Sequence, residues 1–262
     1  MAEIEYYIGN HGPYFTDDTS TEYLDDGQLV QRRELSSATT GVGMLTETGS
    51  QTVSNKTFDN SNKYGGASNY TMFEADGTLK MVGDATVYDD INTGINPRNT
   101  GVGRPNLVTF LGNLLEFQFA VNDFADLQPI ELLHDWEEGS TIEFHCHWAT
   151  GGLNDTTVRG VKWEIEYSWA NMQAAGGTIV FTTPVAISAE TSIAANEAAY
   201  THKYTSVGTL TPTGGKIGAQ ICFRVKRIAS VTNTAPVADP FLLSVGVHYK
   251  RDTLGSRTTS GK

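Results

Sequence analysis

The chain has little cysteine, and the positions of what it has exclude the common zinc modules. Its 262 residues include only Cys146 and Cys222. Without a Cys-x-x-Cys pair, a structural zinc site of the finger or ribbon type is excluded. Both cysteines lie within strand-like runs, so we expect two free thiols that behave as small apolar side chains.

Positive charge and long apolar runs are also scarce. The 18 Lys and Arg are outnumbered by 30 Asp and Glu, which gives a formal net charge of -12. Such a surface repels phosphate backbones and anionic membranes, so we expect no nucleic-acid binding. Because the chain lacks an apolar run of about 18 residues and a charged-then-apolar start, we expect neither membrane insertion nor a secretory signal.

The common catalytic fingerprints are missing as well. We find no Gly-x-Ser-x-Gly, P-loop, His-Glu-x-x-His or dinucleotide-binding pattern. The acidic pairs are adjacent in sequence, so their side chains point apart along an extended chain. We interpret them as solvated surface, with Ca²⁺ binding by Asp84, Asp89 and Asp90 as the alternative. The sequence therefore predicts a protein that is not an enzyme. These pairs are Asp17/Asp18, Asp25/Asp26, Asp89/Asp90 and Glu137/Glu138.

Two aromatic segments predict the centre of an all-β fold. Residues 161–169 alternate bulky and polar side chains, and residues 141–148 do the same, with His145 and His147 on the polar phase. A period of two is typical of half-buried strands. Because a loop with Gly-Gly and Asn-Asp joins the two segments, we expect them to pair as antiparallel neighbours.

Further strand-like segments continue to the C-terminus. Their spacing predicts a jelly-roll-like β-sandwich head over residues 107–262. In its last predicted strand, residues 241–249, alternation turns Leu243 and Val245 inward and His248 away from the core. Residues 70–106 contain a hairpin signal at Asp76-Gly77 and a Gly/Pro-rich linker, so we predict a small β collar and a domain boundary there.

Residues 1–69 lack the aliphatic side chains of an independent core. The first 35 are acidic and aromatic, and the rest are dominated by Ser, Thr, Asn and Gly. We predict an N-terminal attachment arm, followed by an extended oligomerisation region in which copies form a homotrimer. A floppy terminus is the alternative for the arm. The aromatic residues expected to bind the partner are Tyr6, Tyr7, Tyr14, Phe15 and Tyr23.

Three segments carry a resemblance to a known group of proteins. They read HDWEEGSTIEFHCHW at 134–148, GVKWEIEYSW at 160–169 and VGVHYKRDTLGSR at 245–257. Together with SNKTFDN and EADGTLKMVGDATVYDDI nearer the N-terminus, they resemble structural proteins of tailed-bacteriophage virions. The resemblance implies a trimeric fibre, spike or decoration protein with a β-sandwich head.

The resemblance also implies a location and partners. The protein would belong to the virion, assembled in the host cytoplasm, and its N-terminal arm would bind other capsid or tail proteins. A head fibre or capsid-decoration protein is our first hypothesis. A tail fibre or needle tip that binds a host surface receptor is the second. A tailspike that degrades polysaccharide is third, because no pair of carboxylates is visibly placed for glycoside hydrolysis.

Three histidines form a candidate metal site. His145 and His147 share the polar face of one predicted strand, and His248 lies off the core side of the last. If the two strands pair, the imidazoles gather on one outer face. There a threefold axis would offer His-x-His pairs to iron or nickel, or a single chain would offer its three histidines to zinc. The alternative is hydrogen bonding across a subunit interface or to water, and apart from this metal we expect no cofactor.

Overall fold

The computed structural model describes residues 63–172, 179–259 and 261–262, together with the backbone of four short strands nearer the N-terminus. The chain divides into two compact units, Met1–Lys56 and Thr57–Lys262. In the first unit, β1 (Glu5–Gly9) pairs antiparallel with β2 (Gly12–Thr16), and β3 (Thr21–Tyr23) pairs with β4 (Leu29–Gln31).

All five predicted anchor residues fall within β1, β2 and β3. Backbone pairing places Tyr6 opposite Phe15 and Tyr7 opposite Tyr14. Their side chains lie outside the described residues, as does most of the segment predicted to form the trimer. Docking through Tyr6, Tyr7, Tyr14, Phe15 and Tyr23 therefore stays a prediction.

The second unit is a β-sandwich-like arrangement of antiparallel sheets, which confirms the predicted all-β class. One sheet has the order β16-β13-β18-β10-β9, with β8 also paired to β18, and the facing sheet has the order β11-β17-β14-β15, with β12 paired to β17. No helix in the described part of the chain has the length and apolar character to cross a membrane. The strands are β5 (Lys63–Gly65), β6 (Tyr70–Phe73), β7 (Leu79–Val82), β8 (Val87–Gly94), β9 (Asn106–Thr109), β10 (Leu115–Gln118), β11 (Phe124–Asp126), β12 (Ile130–Glu131), β13 (Ile142–Ala149), β14 (Arg159–Ala170), β15 (Val185–Ile193), β16 (His202–Leu210), β17 (Gln220–Ile228) and β18 (Phe241–Arg251).

The two aromatic strands face each other across the core. The apolar phase of β13 is fully buried, and it packs against the apolar phase of β14 in the opposite sheet. Phe144 stacks on Tyr167 at a centroid distance of 5.4 Å, and Trp148 meets Trp163 at 6.3 Å. The expected pairing of β13 with β14 is therefore wrong. Each strand has one strongly apolar face, and these faces cover one another only from opposite sheets.

Strand β8 belongs to the sandwich rather than to a separate collar. It pairs with β18 from Val87 opposite Arg251 to Gly94 opposite Ser244. The predicted hairpin at Asp76-Gly77 is present as β6 and β7, and β5 extends it to a three-stranded sheet. The Met81 N–H donates to the Asp252 carbonyl at 2.7 Å, which ties this small sheet to the C-terminal segment. The Gly and Pro content of residues 92–105 predicted a domain boundary there. That prediction is wrong, because β8 and the strands that follow residue 105 belong to the same sheet.

Two β-bulges flank the histidine positions of β13. Against β16 the register shifts between Phe144 and His145, and against β18 it shifts between His147 and Trp148. The second bulge skips Leu243, so Leu242 lies in the core, while Leu243, predicted to face inward, is only half-buried. Bulges of this kind often re-aim side chains next to functional sites.

Candidate functional site

One outer face of the sandwich collects four of the six histidines of the chain. β13 presents its polar phase there, while its apolar phase points into the core. β16 and β18 pair with its two edges, and β8 pairs with the far edge of β18. Four adjacent strands therefore contribute side chains to one surface. We call this surface the histidine face and define it by Asp90, Glu143, His145, His147, His202, Tyr204 and His248.

His145 lies at the centre of this face and is fully buried, with 0% of its surface exposed. Its ring stacks on His248 at a centroid distance of 4.2 Å and lies 5.3 Å from the ring of Tyr204. Gly246, its partner on β18, provides the space, because a Cβ there would lie 2.5 Å from the His145 Nε2. The sequence predicted an exposed side chain, and the neighbouring aromatic rings account for the difference.

Several buried polar atoms at this point have no hydrogen-bond partner among the described residues. Both ring nitrogens of His145 are unpaired, and so is the Oδ1 of Asp90. Leaving a buried donor or acceptor unpaired costs about 1–3 kcal/mol per group. Such a group in a folded protein calls for an explanation, and the ability to bind an ion is one that these residue types allow.

Three potential metal ligands converge around the Asp90 carboxylate. The Asp90 Oδ2 lies 3.7 Å from the Nε2 of His145 and 4.0 Å from the Nε2 of His248. One ligand atom from each of the three residues lies within 4.8 Å of the others. The Asn92 side-chain amide donates to the same Asp90 oxygen at 2.7 Å and orients the carboxylate.

A second carboxylate lies on the other side of His248. The Nδ1 of His248 is 3.7 Å from the Oε2 of Glu143, and the Tyr204 hydroxyl donates to the Oε1 of Glu143 at 3.2 Å. Hydrogen bonding from Ser206 is the main influence that lowers the pKa of Glu143. Burial beside this carboxylate raises the pKa of Tyr204 to about 12. At pH 7 Glu143 is therefore an anion and Tyr204 a neutral donor.

The two imidazoles of β13 have lowered pKa values, which favours their neutral form. Burial, with the added repulsion of His248, lowers the pKa of His145 to about 4 despite the nearby Asp90 carboxylate. Burial and the proximity of His202 also lower the pKa of His147. A neutral imidazole has a free lone pair, so His145 is in the protonation state that a metal ion requires.

The structure brings the three predicted histidines together but does not give them the same surroundings. β13 and β18 do pair, with Glu143 opposite His248. His147 turns toward His202 instead, and its Nδ1 lies 3.0 Å from the Nε2 of that residue. Asp90 occupies the place that the prediction gave to His147.

The acidic residues considered for Ca²⁺ do not converge. Asp84 accepts a hydrogen bond from the Asn69 side chain at 2.8 Å. Asp89 forms an ion pair with Arg251 at 2.8 Å. Only Asp90 of this set reaches the histidine face, because neighbouring residues on a strand point to opposite sides of the sheet.

Sequence reasoning missed Asp90, Glu143 and His202 as members of the histidine face. Glu143 shares the polar phase of His145, and that alternation was the available signal. The other two come from distant parts of the chain and become neighbours only through strand pairing.

No protein-family model matches the chain, and no curated protein matches its sequence.

Proposed function

We propose that the protein is a non-enzymatic structural component of a tailed-phage virion. Its role would be that of a head fibre or capsid-decoration protein, with the N-terminal unit bound to the particle and the β-sandwich as its head. The resemblance of residues 134–148, 160–169 and 245–257 to virion proteins motivates this proposal. These segments supply β13, β14 and β18, which are internal strands of the two facing sheets.

An uncovered apolar edge of the sandwich is the observation that supports a role in an assembly of chains. Leu107 of β9 and Leu115 of β10 are 52% and 53% exposed. The register places both on the same face as Phe117, which packs against the core. Leu111 and Leu114, in the connecting turn, are exposed as well. We call Leu107, Leu111, Leu114 and Leu115 the leucine edge.

The leucine edge has the properties of a contact between copies of the chain. β9 is the last strand of its sheet, so its outer backbone groups are open to pairing. A contiguous apolar patch on a protein surface marks an interaction site more often than an isolated exposed Leu does. Apolar contact would also offset the repulsion between chains that each carry a net charge of -12. A homotrimer of this kind fits a fibre or decoration protein.

Light scattering on the purified protein tests the assembly. We expect a trimer mass at micromolar concentration, and a monomer for the double variant Leu107→Glu/Leu115→Glu. Leu254→Glu is the matched control, because Leu254 is 71% exposed and follows the last residue of β18, whereas β10 pairs with the first residues of that strand, so its replacement should leave the trimer intact. A monomeric wild-type protein would contradict the trimer.

Particles purified from infected cells test the location. Mass spectrometry should find the protein in the virion, and cryo-electron microscopy should place it on the capsid. A chain lacking residues 1–35 should remain folded and trimeric but be missing from particles. Purified protein that blocks phage adsorption would point instead to a tail fibre or needle tip that binds a host receptor. Particles without the protein would refute a virion role altogether.

A further inference from the structure

The centre of the histidine face has the donor set of a transition-metal site. His145 and His248 each direct an Nε2 toward the Oδ2 of Asp90, and in the described part of the chain the two nitrogens of His145 have no hydrogen-bond partner. A buried imidazole with a purely structural role would donate or accept at least one hydrogen bond. We propose that Asp90, His145 and His248 bind one divalent transition-metal ion in each chain. This proposal does not rest on a virion function.

The distances allow the site to close around an ion with small movements. Zinc ligands lie about 2.0–2.1 Å from the metal, which places tetrahedral ligand atoms about 3.4 Å apart. The observed separations of 3.7 and 4.0 Å are slightly longer. The side chains of Asp90 and His248 are 31% and 33% exposed, so small movements of these two residues would close the site around His145, which is fixed by its packing. A metal ion would therefore enter the site from the solvent side, past these two ligands.

The ligand types indicate which metals fit. Two imidazoles and one carboxylate suit Zn²⁺, Co²⁺, Ni²⁺ or Fe²⁺, whereas Ca²⁺ and Mg²⁺ prefer oxygen-only sets. With three protein ligands, a tetrahedral ion keeps one open position for water or an external group.

Glu143 supplies the outer support that metal-binding histidines usually have. A histidine ligand commonly donates its other ring N–H to a carboxylate, which fixes its orientation and raises its basicity. The Nδ1 of His248 faces the Oε2 of Glu143 at 3.7 Å, on the opposite side of the ring from Asp90. Tyr204 in turn donates to Glu143. His248 therefore has a carboxylate beside each of its nitrogens.

Burial also decides between a site within one chain and a site on a threefold axis. The His145 side chain is fully buried by residues of its own chain. Its nitrogens would reach a neighbouring subunit only if the histidine face opened. The geometry therefore favours one ion per chain over one ion shared by three chains.

Zinc affinity of untagged protein tests the assignment. The protein is stripped with a chelator, and the dissociation constant for Zn²⁺ is measured by competition with a chromophoric chelator. We expect one Zn²⁺ per chain. Asp90→Asn and His248→Gln should each weaken binding by more than about 100-fold, and Glu143→Gln by about 10- to 100-fold. These three positions are partly exposed, so the variants should fold, and circular dichroism checks this.

Two further variants are the controls. His202 lies on the same face but does not contact the three ligands. The His202→Gln variant should therefore bind Zn²⁺ with a dissociation constant within about threefold of the wild-type value. His147→Gln should lose much less affinity than His248→Gln, because the His147 Nδ1 faces His202 and its ring only meets that of His145 edge-on at a centroid distance of 5.1 Å. Sub-stoichiometric zinc in the wild type, or wild-type affinity in both Asp90→Asn and His248→Gln, would overturn the proposal. A loss in His147→Gln as large as that in His248→Gln would overturn the ligand assignment.

Discussion

Replacing Gly246 with alanine should disrupt the histidine face without altering any of its polar side chains. The new methyl group would lie 2.5 Å from the Nε2 of His145 and 2.5 Å from the Oδ1 of Asn92, whereas ordinary Cβ contacts begin at 3.4 Å. Asn92 is exposed and can move away. His145 cannot, because it is packed against His248 and Tyr204. Its ring would have to retreat by about 0.9 Å into a closely packed layer.

Overpacking of this kind costs about 1–3 kcal/mol. Urea unfolding of the chelator-treated protein should show a loss of that size for Gly246→Ala. Gly94→Ala is the matched control, because Gly94 ends the neighbouring strand β8 and a Cβ there meets no atom within 4 Å. We expect that control to change the unfolding free energy by less than about 0.5 kcal/mol.

A double-mutant cycle identifies the cause of the loss. His145→Ala leaves a space that the methyl group added at position 246 can partly fill, so Gly246→Ala should cost at least about 1 kcal/mol less in that background. If Gly246→Ala were neutral in the wild type, the close approach of Gly246 to His145 would not matter. An equal loss in both backgrounds would show that the methyl group acts on something other than the His145 ring.

Two further predictions concern charged groups away from the histidine face. Arg227 is 1% exposed on the core-facing phase of β17 and donates to the Phe119 carbonyl at 2.6 Å, so Arg227→Ala should lower the unfolding free energy by about 1–3 kcal/mol, the cost of leaving that carbonyl unpaired. Arg224→Ala, which removes a 39% exposed partner of Asp126, should cost less than about 1 kcal/mol, and equal losses in urea unfolding would contradict this reasoning. Burial would raise the pKa of Glu190, but backbone N–H donors from Val231, Thr232 and Asn233 outweigh it and lower this pKa below 4.5. The stabilisation that the Glu190 carboxylate provides should therefore be present above pH 4.5 and disappear as the pH falls through the lowered pKa. The difference in unfolding free energy between wild type and Glu190→Gln should shrink in acid. A difference that stays constant with pH would refute this.

The strands themselves follow closely from the residue pattern. Alternation located β13, β14 and β18, and Asp76-Gly77 located the β6–β7 hairpin, because each signal depends on neighbouring residues only. Alternation predicted the wrong side-chain direction where a β-bulge interrupts the two-residue period of the strand. The bulge between His147 and Trp148 places Leu242 in the core instead of Leu243. Nothing in the local composition indicates that a bulge occurs there.

Strand partners were harder to predict than strands. A short loop between β13 and β14 favoured a hairpin, yet the chain crosses there from one sheet to the other. Two strands that each have one apolar face can lie side by side in one sheet, or they can pack face to face from two sheets. Only the rest of the fold decides between these arrangements. Arg227 shows a related limit. It continues the apolar phase of β17, and its burial depends on Asp239 and the Phe119 carbonyl, which lie elsewhere in the sequence.

The missed ligand and the misplaced domain boundary have the same cause. Gly and Pro in residues 92–105 indicated a linker, and everything before it was assigned to a separate collar. That assignment removed β8 from the sheet and left Asp90 as an ordinary surface carboxylate. Once β8 pairs with β18, Asp90 lies directly opposite His248 in the register. A histidine pattern read along one strand can reveal half of such a site, but the carboxylate that completes it depends on long-range pairing and becomes visible only with the sheet order.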